Sequence, residues 1–448
     1  MERLYISELV NNIGKEVTIS GWINGRRDHG KIIFVDIRDK TGIIQSVCFS
    51  KDTTLLESVS ATRPEWVVEV KGIVNTRPAK MITSEDPMGA IELEITSLLA
   101  ISKSEELPFD KDSDLNLDTY FDYLPLTLRR EDSRNIFRLQ STIVNAYRQS
   151  LISQDFMEFQ APSIVGSDAE GGAAVFKVNY YYDTIAYLAT SPQLYKQIMI
   201  GAFEKVFTVG QMFRAEKHAT TRHLSEITQM DFEMGFIKNH TDVMRVLEKC
   251  IKDVVDEVSR KHSDIFHSFN IPLPMAPDKF PILKLSEAMD ILEKEFGSRP
   301  EDETDLDPES EKQICEWALK EYGSDFIFIT HYPTKARSFY TYPEDNEPSL
   351  SRSFDLLFRG LEINSGSQRI HNYNDLIEKM KTFNLDPDKF SFYLQAFKYG
   401  LPPHGGCSTG LERLTSRMLM LPNVKKASAF PRDMNRIDTL LSKQNNNE

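Results

Sequence analysis

The chain has 448 residues, 40% of them hydrophobic and 27% charged, with a formal net charge of −14. That length supports two or three domains with their own cores, and the composition is that of an ordinary globular protein. The acidic balance argues against nucleic-acid binding by the surface as a whole, so an RNA role must rest on a local basic patch. No apolar run reaches transmembrane length, and the start, Met-Glu-Arg-Leu-Tyr-Ile-Ser-Glu, reads as neither a signal peptide nor a transit sequence. Cys48, Cys250, Cys315 and Cys407 are scattered without a Cys-x-x-Cys pair, which suggests neither a zinc knuckle nor a disulfide framework. A cytoplasmic protein with no membrane partner is expected.

Residues 1–100 carry five β-like runs, at 17–23, 32–37, 43–49, 66–74 and 91–95, with a helix at 53–61 between the third and fourth. Five strands with a helix in that place is the plan of an OB-fold barrel, whose sheet face commonly binds single-stranded nucleic acid. Residues 26–40 set Arg26, Arg27, Lys31, Arg38 and Lys40 against Asp28, Asp36 and Asp39. Phe34 offers a stacking platform there and Gln45 a base-edge hydrogen bonder. The acidic, loop-like stretch 104–130 reads as a hinge between a domain at 1–103 and one at 131–448.

Ile136, Ile143, Val144, Tyr147 and Leu151 then mark one face of a helix, followed by a short strand at 156–159 and Ala161-Pro162. Residues 167–178 combine small residues with Glu170, and Gly171-Gly172 gives that backbone freedom. Ser191-Pro192-Gln193-Leu194-Tyr195-Lys196-Gln197 opens a helix. Residues 206–210 read as a buried strand, and 228–236, which include Asp231, as a half-buried antiparallel one. Between these strands lies a loop with Arg214, Glu216, Lys217, His218, Arg222 and His223. So many donors fit a polyanion such as a nucleoside triphosphate, since arginine forks match phosphate oxygens; the plain alternative is a solvated hairpin tip. Helices are expected at 241–260, 285–296 and 310–322, and buried strands at 326–330 and 353–358. Asp355 and Glu362, seven apart, would be unusual in a core without cations. Gly405-Gly406-Cys407-Ser408-Thr409-Gly410-Leu411-Glu412-Arg413 is a glycine-rich strand running into a helix.

Three of these segments, in this order, resemble the motifs of the class II aminoacyl-tRNA synthetases. The helix, strand and proline at 136–162 resemble motif 1, Phe213-Arg214-Ala215-Glu216 resembles motif 2, and 405–414 resembles motif 3. The continuation His223-Leu224-Ser225-Glu226 is similar to the aspartyl/asparaginyl/lysyl subgroup, and Ser191–Gln197 to its aspartyl branch, where asparaginyl relatives lack the lysine. Cys407-Ser408-Thr409 departs from the usual Gly-x-Gly of motif 3.

The resemblance implies an α+β chain: a five-stranded OB-fold barrel, then a mainly antiparallel sheet flanked by helices, working as a homodimer through motif 1. It implies ATP-dependent ligation of L-aspartate to tRNA-Asp through an aspartyl-adenylate, with tRNA-Asn an open second acceptor. Arg214 and Arg413 would hold the phosphates, Arg222, Glu216 and His223 would orient ATP, and Ser365 would touch the nucleotide. Asp355 and Glu362 would bind Mg²⁺. Gln193, Lys196 and Arg369 would select aspartate, with Glu170 and Asp231 near its ammonium, since a cation suits a carboxylate and leaves an amide poorly matched. Arg26, Arg27, Phe34 and Gln45 would meet the anticodon. Two rival readings stand beside this one: an asparaginyl or asparagine-forming relative, and a synthetase-like RNA-binding protein without catalysis.

Overall fold

A computed structural model of the chain describes residues 3–30, 32–49, 52–82, 88–166, 174–217 and 220–444. The chain divides into two units, Met1–Asp114 and Leu115–Glu448. In the first, strands β1 (Glu16–Asp28), β2 (Ile33–Arg38), β3 (Ile43–Cys48), β4 (Val67–Thr76) and β5 (Ile91–Ser102) close a barrel in the order β1-β2-β3-β5-β4. Helix α1 (Thr53–Ser60) falls between β3 and β4, capped by Asp52, whose carboxylate accepts from the Thr54 and Leu55 amides. Alternate strand residues point inward, so Val17, Ile19, Val35, Ile37, Val68 and Val70 are all buried. Closure crowds the backbones at two corners: a Cβ on Gly21 would lie 2.4 Å from the Arg38 carbonyl oxygen, and one on Gly72 2.4 Å from that of Glu94. Only glycine fits there.

The stretch expected as a hinge, 104–130, does not form one connector. From Leu115 it belongs to the second unit and folds into helices α2 (Leu117–Asp122) and α3 (Leu124–Thr127). The acidic composition hid two structural signals. Asn116 caps α2 by accepting from the Thr119 amide, and Tyr120, Phe121 and Leu124 bury together.

The rest of the second unit continues with α4 (Glu131–Ile152), β6 (Met157–Glu158), β7 (Ile164–Val165), β8 (Lys177–Asn179), β9 (Ile185–Leu188), α5 (Gln193–Phe203), β10 (Lys205–Phe213), β11 (Glu226–Gly235) and α6 (His240–Ser268). Then come β12 (Ile282–Lys284), α7 (Leu285–Ile291), α8 (Pro308–Tyr322), β13 (Phe326–Thr330), β14 (Ser353–Phe358), β15 (Glu362–Arg369), α9 (Tyr373–Thr382), α10 (Ser391–Lys398), β16 (His404–Gly410) and α11 (Leu411–Met418). Eight strands form one sheet in the order β12-β13-β14-β15-β16-β11-β10-β6, and β7-β9-β8 form a smaller one. Within the large sheet the two outermost pairs are parallel and the others antiparallel.

One face of this sheet carries the core. Ile136, Leu139 and Ile143 of α4, Leu247, Ile251 and Val254 of α6, and Leu414 of α11 recur at helical spacing and pack on Phe207, Phe232, Phe354 and Cys407. The apolar face of α4 is therefore buried inside its own unit. The period of two along β11 does the rest. Met230 and Phe232 join the core, while Gln229, Asp231 and Glu233 turn to the opposite face.

Candidate active site

Strand register lays out that opposite face. Asp231 pairs with Ser408, Ser408 with Ser365, and Ser365 with Asp355, so four polar side chains line up across β11, β16, β15 and β14. In the neighbouring row Glu233 pairs with Gly406 and Gly406 with Ser367. A Cβ on Gly406 would stand 2.2 Å from Glu233 Oε2, so the glycine makes room for that carboxylate.

Helix α5 lays Gln193 and Lys196 over these rows, and Arg369 closes them from the end of β15. Lys196 is fully buried. Its Nζ donates to Asp231 Oδ1 at 2.8 Å and to the Cys407 carbonyl at 3.0 Å, and stands 3.4 Å from Glu233 Oε2. Arg369 Nε donates to Glu233 Oε1 at 2.9 Å, and its Nη2 to the Gly406 carbonyl at 2.9 Å and Gln193 Oε1 at 3.3 Å. Two cations thus face two carboxylates, which is what allows ionised groups to sit out of water. Burial raises the Asp231 carboxyl against the pull of Lys196. At Glu233 burial also acts upward, but Arg369 and Lys196 outweigh it and hold the carboxyl below its usual range.

Behind the pair, burial pushes His404 down to about 4, so its ring is neutral near pH 7. Its Nδ1 donates to the Pro402 carbonyl at 2.9 Å, leaving Nε2 to accept from Gln197 Nε2 at 3.0 Å. One donor is left over. Gln193 Nε2 is buried without a partner among the described residues, a costly state that a bound acceptor would relieve.

Ser408 joins this pocket to a cleft. Its Oγ donates to Asp231 Oδ2 at 3.1 Å, and the same residue lines a cavity with Arg214, Arg222, His223, Glu362, Ser365 and Arg413. Arg413, in the first turn of α11, donates through Nη1 to the Glu362 carbonyl at 3.0 Å and lies 3.3 Å from Glu362 Oε2. Arg214 is exposed and forms no ion pair among the described residues. Arg222 pairs with Glu311 of α8, and His223 Nδ1 lies 2.6 Å from Thr220 Oγ1. Three guanidinium groups on one wall suit a polyanion. Buried Glu412 accepts the Thr228 amide on both oxygens, at 3.1 and 3.0 Å, and burial pushes its carboxyl up to about 7. Glu216 lies in the loop, partly buried, but does not line the cavity. Glu170 lies outside the described residues.

The two carboxylates expected to hold Mg²⁺ are not equivalent. Glu362 faces the cleft, with its side chain one-third exposed. Asp355 is buried and taken by Arg337, whose Nη2 donates at 2.6 Å and Nη1 at 3.4 Å. Among the described residues there is no group of three or more His, Cys, Asp or Glu side chains that could hold a metal ion. The donor set fits an ion that takes one or two carboxylates and completes its shell with water and phosphate, as Mg²⁺ does, and does not fit an all-protein cage.

In the barrel, the register places Arg27 opposite Phe34 and Asp36 opposite Gln45. Arg27 Nη2 donates to Asp36 Oδ1 at 3.1 Å and Gln45 Oε1 at 3.3 Å, and its guanidinium carbon lies 5.9 Å from the Phe34 ring centre. Burial raises the Asp36 carboxyl, opposed by the charges of Arg27, Arg77 and Lys111. Arg26 does not join this patch. It pairs with buried Val35 and belongs to the other side of its strand.

Residues 116–434 match the profile of the tRNA synthetases class II (D, K and N), and residues 17–99 that of the OB-fold nucleic acid binding domain. The chain belongs to the class II tRNA synthetases. This synthetase is 40% identical to the Aspartate--tRNA(Asp/Asn) ligase of Thermus thermophilus, over 97% of this chain and 99% of the relative. It is 36% identical to the Aspartate--tRNA(Asp) ligase of Pyrococcus abyssi, over 97% and 98% respectively. A solved asparaginyl-tRNA synthetase from Pyrococcus horikoshii, complexed with asparaginyl-adenylate, superposes with a TM-score of 0.90 at 30% identity, covering 98% of this chain and 99% of that one.

Several residues of the synthetase's site escaped the sequence reading. Glu233 had a signal, for it follows Asp231 by two on the same strand face. Glu311 and Arg337 had none, because they reach the site from segments far away in the chain.

Proposed function

We propose that the chain joins L-aspartate to the 3′ end of tRNA in two steps. An oxygen of the aspartate α-carboxylate attacks the α-phosphorus of ATP, the bond to the bridging oxygen breaks, and pyrophosphate leaves. A tRNA 3′-terminal hydroxyl then attacks the aspartyl carbonyl, loses its proton, and AMP departs. Both steps need positioning and charge stabilisation more than covalent catalysis. Arg214 and Arg413 bracket the phosphates; Arg222, Glu216, His223 and Ser365 orient the nucleotide. Gln193, Lys196 and Arg369 receive the side-chain carboxylate, while Asp231 and Glu170 meet the ammonium. Mg²⁺, when bound with ATP, would be held by Glu362 with Asp355 and would neutralise phosphate charge. Arg27, Phe34 and Gln45 contact the anticodon, without Arg26, and two copies pair through α4 and β6.

The observation that carries this reading is the buried pair Lys196 and Arg369 beside the unpartnered Gln193 Nε2. Lys196, Arg369 and Gln193 Nε2 are all donors, which a side-chain carboxylate satisfies with both oxygens and an asparagine amide opposes with its own NH2 donors, so aspartate is the substrate. The Thermus relative is an Aspartate--tRNA(Asp/Asn) ligase, which supports tRNA-Asn as a second acceptor here. ATP–pyrophosphate exchange with aspartate and asparagine side by side tests the amino acid: exchange with aspartate alone is expected, and equal exchange with asparagine overturns the reading. Charging of tRNA-Asp and tRNA-Asn transcripts then tests the acceptors.

A further inference from the structure

Outside the cleft and the amino-acid pocket, the second unit holds a cavity of about 520 Å³ between the end of α6, helix α8 and the end of α11. Pro272, Leu273, Met275, Leu319 and Met420 make its walls predominantly apolar. Cys315 adds apolar surface and not a nucleophile, since burial pushes its thiol up to about 12. The charges in the wall are mostly paired. Arg359 meets Asp325 at 3.0 Å, Arg222 meets Glu311, and Lys312 lies 3.7 Å from Glu309. Glu316 is exposed at the mouth.

Arg417 differs. Its Nε is buried without a hydrogen-bond partner, and its guanidinium forms no ion pair with any described residue. Burial and the neighbouring charge of Arg222 both work against its charged form. Glu311 pulls the other way, but that carboxylate is already engaged by Arg222. A planar cation in an apolar cavity without an acceptor is matched by a carboxylate, which its fork receives bidentately.

We propose that this cavity binds a small amphiphilic organic anion, its carboxylate on Arg417 and its hydrocarbon body against Leu273, Met275, Leu319 and Met420. The site is separate from the one that receives aspartate and ATP, but Arg222 lines both cavities, and Arg413 precedes Arg417 by one turn of α11. An anion on Arg417 competes with the ATP phosphates for the pull of Arg222, so occupancy weakens ATP binding, and by linkage ATP weakens the anion. This coupling rests on the nucleotide reading above, whereas binding at Arg417 does not.

Direct titration separates the two. The fluorescent sulfonate 1-anilinonaphthalene-8-sulfonate should bind the full chain saturably with one-to-one stoichiometry, and decanoate should displace it where 1-decanol does not. Arg417→Gln should weaken the probe about tenfold or more, the loss expected for a charge-assisted contact. Leu319→Trp, which fills the cavity from a partly exposed helix position, should abolish binding while leaving the thermal unfolding midpoint unchanged. Equal affinity in wild type and Arg417→Gln, or retained binding in Leu319→Trp, overturns the site. If the probe binds as expected but saturating decanoate leaves the KM for ATP unaltered, the site stands and the coupling is overturned.

Discussion

Glu233 Oε1 accepts from Arg369 Nε at 2.9 Å, and both side chains are buried. Glu233 is thus the counter-charge of one pocket cation and, at 3.4 Å, a neighbour of the other. Removing its charge strands Arg369. Glu233→Gln should lower the free energy of unfolding at pH 7 by about 3–5 kcal/mol, the range seen when one partner of a buried ion pair is lost. Urea denaturation measures it, and an unchanged midpoint would mean that solvent reaches this pair.

In the proposed reaction Arg413 clamps a phosphate; in the structure its guanidinium donates to the Glu362 carbonyl and lies 3.3 Å from its carboxylate, both residues lining the cleft. Arg413→Ala should slow pyrophosphate exchange about 30- to 1000-fold, the rate equivalent of roughly 2–4 kcal/mol in the barrier. Near-normal exchange would sink its assignment to the phosphates.

Lys196→Leu replaces the long cationic side chain by a shorter, uncharged apolar one. The KM for aspartate should rise about 100-fold or more, because a carboxylate then enters a pocket that has lost a partner for it. The KM for ATP should stay within about threefold. A parallel rise in both constants would assign Lys196 to the scaffold and not to amino-acid choice.

Phe34 and Gln45 sit on the barrel, a unit of its own, beside Arg27. Phe34→Ala should cost about 1–3 kcal/mol of tRNA affinity, as the loss of one stacked base does. Aminoacylation should weaken while tRNA-independent pyrophosphate exchange remains at the wild-type rate. Equal loss in the two assays would show that the barrel supports the catalytic unit instead of reading RNA.

Glu412 supplies a pH test. Burial raises its carboxyl from the ordinary 4.5 to about 7 in the folded chain. Its contribution to stability is therefore fully present below about pH 4.5 and is lost as pH rises through about 7. Glu412→Gln, which imitates the protonated form, should melt higher than wild type at pH 8, by about 2–4 °C per kcal/mol recovered. The two should converge at pH 5. A constant offset at both pH values would mean that the carboxyl titrates where an exposed one does.

Much of the architecture was readable because periodicity survives in short windows. The five barrel strands and the loop between β10 and β11 follow from alternation, and α4 and α6 from helical spacing. The arginines of the cleft were legible as a cluster of donors. The network around Lys196 was not, for its partners are set by strand register: Asp231 meets Ser408 only because β11 and β16 pair. Composition misled at 104–130, where acidic residues masked the Asn116 cap and the buried Tyr120 and Phe121. Asp355 was recognisable as a carboxylate in need of a cation, but nothing local identified that cation as Arg337.

Strand β16 lies between β11 and β15, although it comes last of the sheet in the chain. During synthesis β11, and then β15, leave the ribosome before the strand that fills the gap between them. Until residue 410 has emerged, each presents an unpaired edge at the sheet's centre, where other chains can attach. The polar row from Asp231 to Asp355 cannot be complete before β16 pairs between β11 and β15 and supplies Ser408. A chain cut before His404 would have no half-built site with residual activity; it would be a sheet open down the middle and prone to aggregate.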